Sequence, residues 1–185
     1  DQWRMLEPIF NEFYRTEEED YFYSILPTST QYSRNAIFAG LMPSEIEQYY
    51  PTWWKNDIDE GGKNLHEHDF LRELIGRTIR KEIKFDYVKV TNANHAKQLN
   101  DNILNHLNND FTVIVYNFID MLSHARTEME VLNELAGDEK AYRSLTRSWF
   151  RNSQLWEALQ QAAEKGAQLF VTTDHGTIRV KTPSR

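Results

Sequence analysis

Three short clusters of oxygen and nitrogen donors stand out in this chain: Thr28-Ser29-Thr30, Asp120-x-x-x-His124, and Asp174-His175-Gly176. Carboxylate and imidazole together are the donor set of zinc, and of manganese as well. Asp120 and His124 are four residues apart, which on one helical turn places both on a single face, near enough to share an ion. Asp174 and His175 are adjacent, so they share no helix face, but an irregular loop at the end of a strand can aim both inward. A threonine hydroxyl such as that of Thr30 is a poor nucleophile until a base or a metal lowers its pKa. At a helix start it also meets free N–H groups and partial positive charge, which suit a phosphate. The simpler alternative is that Thr28, Ser29 and Thr30 only cap a helix. Each cluster alone is weak; their placement is what gives them weight.

That placement follows from the elements around them. Tyr21 to Leu26, Phe111 to Ile119 and Leu169 to Thr172 are short apolar runs, the last two β-rich as expected of strands buried on both faces. Phe85 to Val90 alternates as a strand. Helical spacing of apolar residues predicts helices over 3–14, from Thr30 through Asn35 and Phe38, from Pro43 to near Pro51, from Leu65 to about Ile83, over 93–107, and over 153–165 with Gly166 as terminator. Residues 56–64, with Gly61-Gly62, read as an exposed loop. Strands alternating with helices imply an α/β fold with a mainly parallel sheet covered on both sides. In such sheets ligands bind beyond the carboxyl ends of the strands. The three clusters each follow an apolar run, so they are expected to converge at one rim.

Composition narrows the function. The chain has 185 residues, 40% hydrophobic and 13% aromatic, which is enough for one folded domain. It has no cysteine, which removes disulfides, thiolate metal sites and cysteine nucleophiles. The formal net charge of −7 argues against broad attraction to nucleic acid or anionic lipid, although bound divalent cations would reverse the local field. No apolar stretch is long enough to span a bilayer. No Gly-x-Gly-x-x-Gly or Walker-type loop supports an ordinary nucleotide-binding domain. The chain starts at Asp1, and Thr177-Ile178-Arg179-Val180 reads as a strand just beginning, so a fragment cut at both ends is expected.

Read together, the segments resemble the alkaline phosphatase superfamily, and within it the PglZ-type domains. Leu26-Pro27-Thr28-Ser29-Thr30 followed by Ala39-Gly40-Leu41-Met42-Pro43 looks like that family's nucleophile loop with its downstream Gly-Leu-x-Pro. Asp120-x-x-x-His124 and Asp174-His175-Gly176 match its metal-binding pair and its Asp-His-Gly loop. The wording is close to the effector domain of PorX-like response regulators of Bacteroidetes, which control type IX secretion. The resemblance implies an alkaline-phosphatase-like three-layer sandwich, with residues 1–185 forming the core of one domain that lacks its N-terminal strand, its C-terminal portion and any receiver domain.

The resemblance also implies an activity: a cytoplasmic, zinc-dependent phosphodiesterase with two zinc ions per complete domain, acting on cyclic or linear oligonucleotides. Thr30 would be the nucleophile, and Thr30, Asp174 and His175 would hold one metal with an Asp absent from the chain. Asp120 and His124 would hold the other with an absent His. Ser33 stands where related diesterases carry an Asn that holds a non-bridging oxygen, so it becomes a candidate substrate donor. A sulfatase is disfavoured, because those relatives build their nucleophile from Cys or Ser. Implied partners are a receiver domain, a second copy in a homodimer, and a signalling or secretion component. The competing reading is a catalytically silent module that signals through protein contacts. His66, His68, His95 and His106 are left over, as are Tyr49, Tyr50, Trp53 and Trp54, which could stack bases but read more readily as core or interface residues.

Overall fold

A computed structural model describes residues 2–119, 122 and 138–176. They fall into two compact units, one formed by Asp1–Glu19 with Ile83–Leu169, the other by Asp20–Glu82 with Phe170–Arg185.

The first unit holds the sheet. Strand β1 (Phe85–Val90) and strand β2 (Phe111–Tyr116) pair in parallel, with Phe85 opposite Phe111 and Val90 opposite Tyr116. A parallel pair needs a crossover, and helix α5 (Ala93–His106) supplies it. Asn92 caps α5 by accepting from the His95 N–H at 2.9 Å. Ala96, Leu99 and Ile103 recur along α5 at helical spacing and bury with Val90 of β1 and Ala158. Helix α1 (Gln2–Phe10) packs Ile9 and Phe10 against Phe150, Trp156 and Leu159. Those three come from helices α6 (Glu139–Arg151) and α7 (Gln154–Glu164). Each starts on a side-chain cap, Asp138 accepting from Ala141 N–H at 2.6 Å and Ser153 from Trp156 N–H at 3.1 Å. Gly166 ends α7 with φ +74°, the left-handed conformation common just past a helix C-terminus. Helix α6 was not anticipated: its buried stripe, Tyr142, Thr146 and Phe150, is thin and interrupted by a hydroxyl.

The second unit is helical. Helices α2 (Thr30–Ala39), α3 (Pro43–Tyr49) and α4 (Glu67–Thr78) bury Phe38, Ile46, Phe70 and Leu71. Gly40 closes α2 at φ +59°, and a Cβ there would lie 2.6 Å from Leu74 Cδ1 on α4. Gly40→Ala therefore pays both a left-handed backbone penalty and a repacking of α4. We expect it to lower stability by about 1–3 kcal/mol, read as a drop in the urea midpoint. An unchanged midpoint would mean that Leu74 yields freely.

Two expected strands do not form. Residues 21–26 and 169–172 carry no strand pairing, and the described sheet has two members rather than the broad layer anticipated. Tyr21, Phe22, Tyr23, Leu26, Phe170 and Val171 are exposed, the reverse of strands buried on both faces. An apolar run records what a segment gains from burial. It does not supply the neighbouring strand whose N–H and C=O groups the ladder requires. The expected strand at 177–180 lies outside the described residues. Among the described residues, no helix is long and apolar enough to cross a membrane.

Candidate functional site

Thr30 is the first residue of α2, entered through an extended Ser29 whose side chain makes no capping bond. The capping explanation for this cluster therefore finds no support in Ser29. Thr30 Oγ1 instead lies 3.2 Å from His175 Nε2, across 145 residues of sequence. The His175 ring is oriented from its other side: Nδ1 lies 3.0 Å from the Gly176 carbonyl, which can only accept. Nδ1 thus carries the proton in the neutral ring, and Nε2 presents its lone pair to Thr30.

Asp174 completes the group. Its Oδ1 accepts from the His175 N–H at 3.1 Å, while Oδ2 lies 3.9 Å from His175 Nε2. Both side chains are about four-fifths buried, at 21% and 19% exposure. Thr30 Oγ1, His175 Nε2 and Asp174 Oδ2 are hard-to-borderline donors of the kind zinc takes. Bond lengths of about 2.0–2.1 Å in a tetrahedral shell put neighbouring donors roughly 3.3 Å apart. The 3.2 Å separation matches such an edge, whereas the 3.9 Å separation is longer than one. Among the described residues no three His, Cys, Asp or Glu side chains are grouped so as to hold a metal ion. Asp120 and His124 lie outside the described residues.

A polar frame fixes the start of α2. Asn64 donates to the Thr30 carbonyl at 3.3 Å and to Asn35 Oδ1 at 3.1 Å. Asn35, fully buried, donates in turn to the Lys63 carbonyl at 3.1 Å. Tyr32 donates to Asp57 Oδ2 at 2.8 Å, and this bond holds its phenol above the usual range. Ser33 is only 3% exposed, and its hydroxyl pairs with that of Ser24 at 2.9 Å. Beside this pair opens a cleft of about 340 Å3, walled by Phe22, Ile37 and Met42 and edged by Asp174.

Sequence reasoning passed over Ser24, Asn35 and Asn64. Ser24 left a signal, a small polar residue inside the run 21–26 of aromatic and aliphatic side chains. The two asparagines left none, because an amide in a helix or loop is usually solvated.

The remaining histidines are engaged elsewhere. His106 Nδ1 lies 2.7 Å from Asp86 Oδ2, His66 Nδ1 lies 3.0 Å from Asp69 Oδ2, and His95 Nδ1 lies 3.1 Å from Thr91 Oγ1. The His66 bond is the main cause holding the Asp69 carboxyl below its usual range. Trp53 stacks with Tyr50 and with His66, at centroid separations of 5.0 and 5.6 Å, so its ring already packs within the unit. Trp54 is buried against Tyr32. Tyr49 stays exposed.

The chain belongs to the PglZ family: the model of the BREX system PglZ alkaline phosphatase-like domain matches residues 1–185. Membership of an alkaline-phosphatase-like family points to hydrolysis of phosphate esters as the class of chemistry. A comparison with curated proteins returned no match.

Proposed function

We infer that this PglZ domain is a zinc-dependent phosphodiesterase that cleaves nucleotide or oligonucleotide esters through Thr30. The observation that carries the reading is the Thr30–His175 contact, a hydroxyl at a helix start facing an imidazole lone pair from a distant loop. Thr30, Asp174 and His175 would hold the ion, which would take the His175 Nε2 lone pair that otherwise faces the Thr30 hydroxyl, and Asp120 and His124 would serve a second one. When bound, the ion lowers the pKa of the hydroxyl and balances the charge that develops on it.

The chain's own groups do the rest. The first N–H groups of α2 have no intrahelical acceptors and face an incoming anion. Thr30 Oγ1 gives up its proton to solvent and forms a bond to phosphorus as the bond to the leaving oxygen breaks in line, and the leaving oxygen takes up a proton. Water then forms the new P–O bond as the Thr30 Oγ1–P bond breaks, and one of its protons returns to Oγ1. The cleft beside Asp174 offers an apolar wall for the organic part of the ester.

The finer placement rests on the wording of the motifs at Leu26–Pro43, Asp120–His124 and Asp174–Gly176. On that basis the domain is the cytoplasmic output module of a PorX-like response regulator, acting as a homodimer downstream of a receiver domain and upstream of a secretion partner. Its complete fold is a three-layer sandwich built outward from the β1–β2 pair.

Stripping divalent ions with a chelator tests the activity. Hydrolysis of a chromogenic phosphodiester is expected to fall at least a hundredfold and to return on adding zinc. Cleavage that survives chelation would remove the metal from the mechanism. A chain that binds zinc but cleaves neither mono- nor diesters would support the silent signalling module.

A further inference from the structure

We propose that Ser24 and Ser33 form a positioning latch, a two-hydroxyl relay that seats the Asp174–His175 loop on α2 so that His175 Nε2 meets Thr30. The proposal deepens the hydrolase reading and rests on it for the activity part of its test.

Residues 170–176 have no strand partner among the described residues, so something else must place them. Two long-range hydrogen bonds are described for this segment. Ser24 Oγ binds the Asp174 carbonyl at 2.9 Å, and Thr30 Oγ1 meets His175 Nε2 at 3.2 Å. The other bonds are local, from Thr172 Oγ1 to the Thr173 carbonyl, from Thr173 Oγ1 to the His175 carbonyl, from the His175 N–H to Asp174 Oδ1, and between His175 Nδ1 and the Gly176 carbonyl. Local bonds shape a turn without deciding where it sits.

Counting protons sets the direction of the relay. A carbonyl cannot donate, so Ser24 donates to Asp174. Its oxygen must then accept, and the Ser33 hydroxyl, 2.9 Å away, donates to it. Each hydroxyl has one proton, and both are now committed. A donor role for Ser33 toward a substrate oxygen would have to break this bond, so the latch replaces that expectation.

Spacing agrees with the assignment. Thr30 and Ser33 are three apart on α2, neighbours on one face and about 4.5 Å apart along the axis. Successive residues of an extended chain advance roughly 3.3 Å. Two adjacent loop residues, Asp174 and His175, can therefore register on one helical turn, the first through Ser24 and the second directly. Serine inside a helix is a weaker former than alanine. At 3% exposure, the Ser33 hydroxyl earns no solvation in return.

The test uses the full chain with Ser24→Ala, Ser33→Ala, the double variant and Ser24→Thr. Zinc affinity is measured by competition with a chromophoric chelator, loop order by amide exchange of residues 170–176, and turnover on a chromogenic diester. Either alanine should weaken zinc binding about tenfold, as loss of an outer-shell partner does. It should also speed exchange in 170–176 while α4 stays protected, and lower kcat more than it raises KM. The double variant should be no worse than the worse single, and Ser24→Thr should restore all three readouts. Additive losses in the double variant would overturn the latch. So would a Ser33→Ala that only raises KM, which would return Ser33 to the substrate. If the unaltered chain cleaves nothing, the hydrolase reading fails, and amide exchange still decides the latch.

Discussion

Thr30→Ala should reduce phosphodiester hydrolysis by three orders of magnitude or more while leaving the fold intact. The size follows from the role: with no oxygen at this position no covalent intermediate can form, and binding and charge stabilisation alone sustain only a residue of the rate. The fold should survive because Thr30 opens α2, its hydroxyl caps no backbone group, and alanine is the better helix former. Melting curves of the two proteins should agree within about 0.5 kcal/mol. Thr30→Ser keeps an oxygen in place and should retain activity within roughly tenfold, since only the methyl that steers the rotamer is lost. Hydrolysis by Thr30→Ala at the unaltered rate would sink the nucleophile assignment, whatever the metal content.

The largest effect on stability is expected at Glu67. Its side chain is 1% exposed and accepts a hydrogen bond from Arg34 Nε, with the Arg34 side chain 14% exposed. This ion pair joins α4 to α2. Taking two charges out of water is costly, and their attraction roughly repays that cost only while both are present. Glu67→Ala removes the buried carboxylate that accepts from Arg34 Nε and should cost about 3–5 kcal/mol by urea denaturation. Replacing both partners, Arg34→Met with Glu67→Leu, should cost less than Glu67→Ala alone, because neither of the two charges remains. A single variant that loses under 1 kcal/mol would show that water reaches Arg34 when the carboxylate is gone. Because α2 starts at Thr30, Glu67→Ala should also reduce turnover near its lowered melting temperature and recover it on cooling.

These two residues differ in how they could be found. Thr30 stands out in the sequence because a hydroxyl cluster precedes a helical pattern and follows a Leu-Pro pair. Glu67 does not stand out: acidic residues near a helix start are ordinary dipole partners, and nothing local tells a solvated one from a buried one. Burial is decided by what another helix brings. The same holds for Asn35 and Asn64, whose amides matter only because Lys63 and Thr30 turn carbonyls toward them. The β1–α5–β2 unit was legible because its signals are local, a period of two in Phe85–Val90 and a helical stripe through Ala96, Leu99 and Ile103. The runs at 21–26 and 169–172 misled for the opposite reason, since strand pairing depends on a partner that composition does not name.

Residue order by itself determined the helices with clear apolar stripes, the parallel strand pair, the PglZ membership and the chemical character of the donors at Thr30, Asp174 and His175. Each of these rests on neighbours in the chain or on side-chain type. Only the tertiary structure decided that His175 Nε2 lies beside the Thr30 hydroxyl, that Ser33 is buried against Ser24, and that Trp53 stacks with Tyr50 and His66. Such facts depend on distances between residues tens to more than a hundred positions apart, which packing sets and local spacing cannot encode.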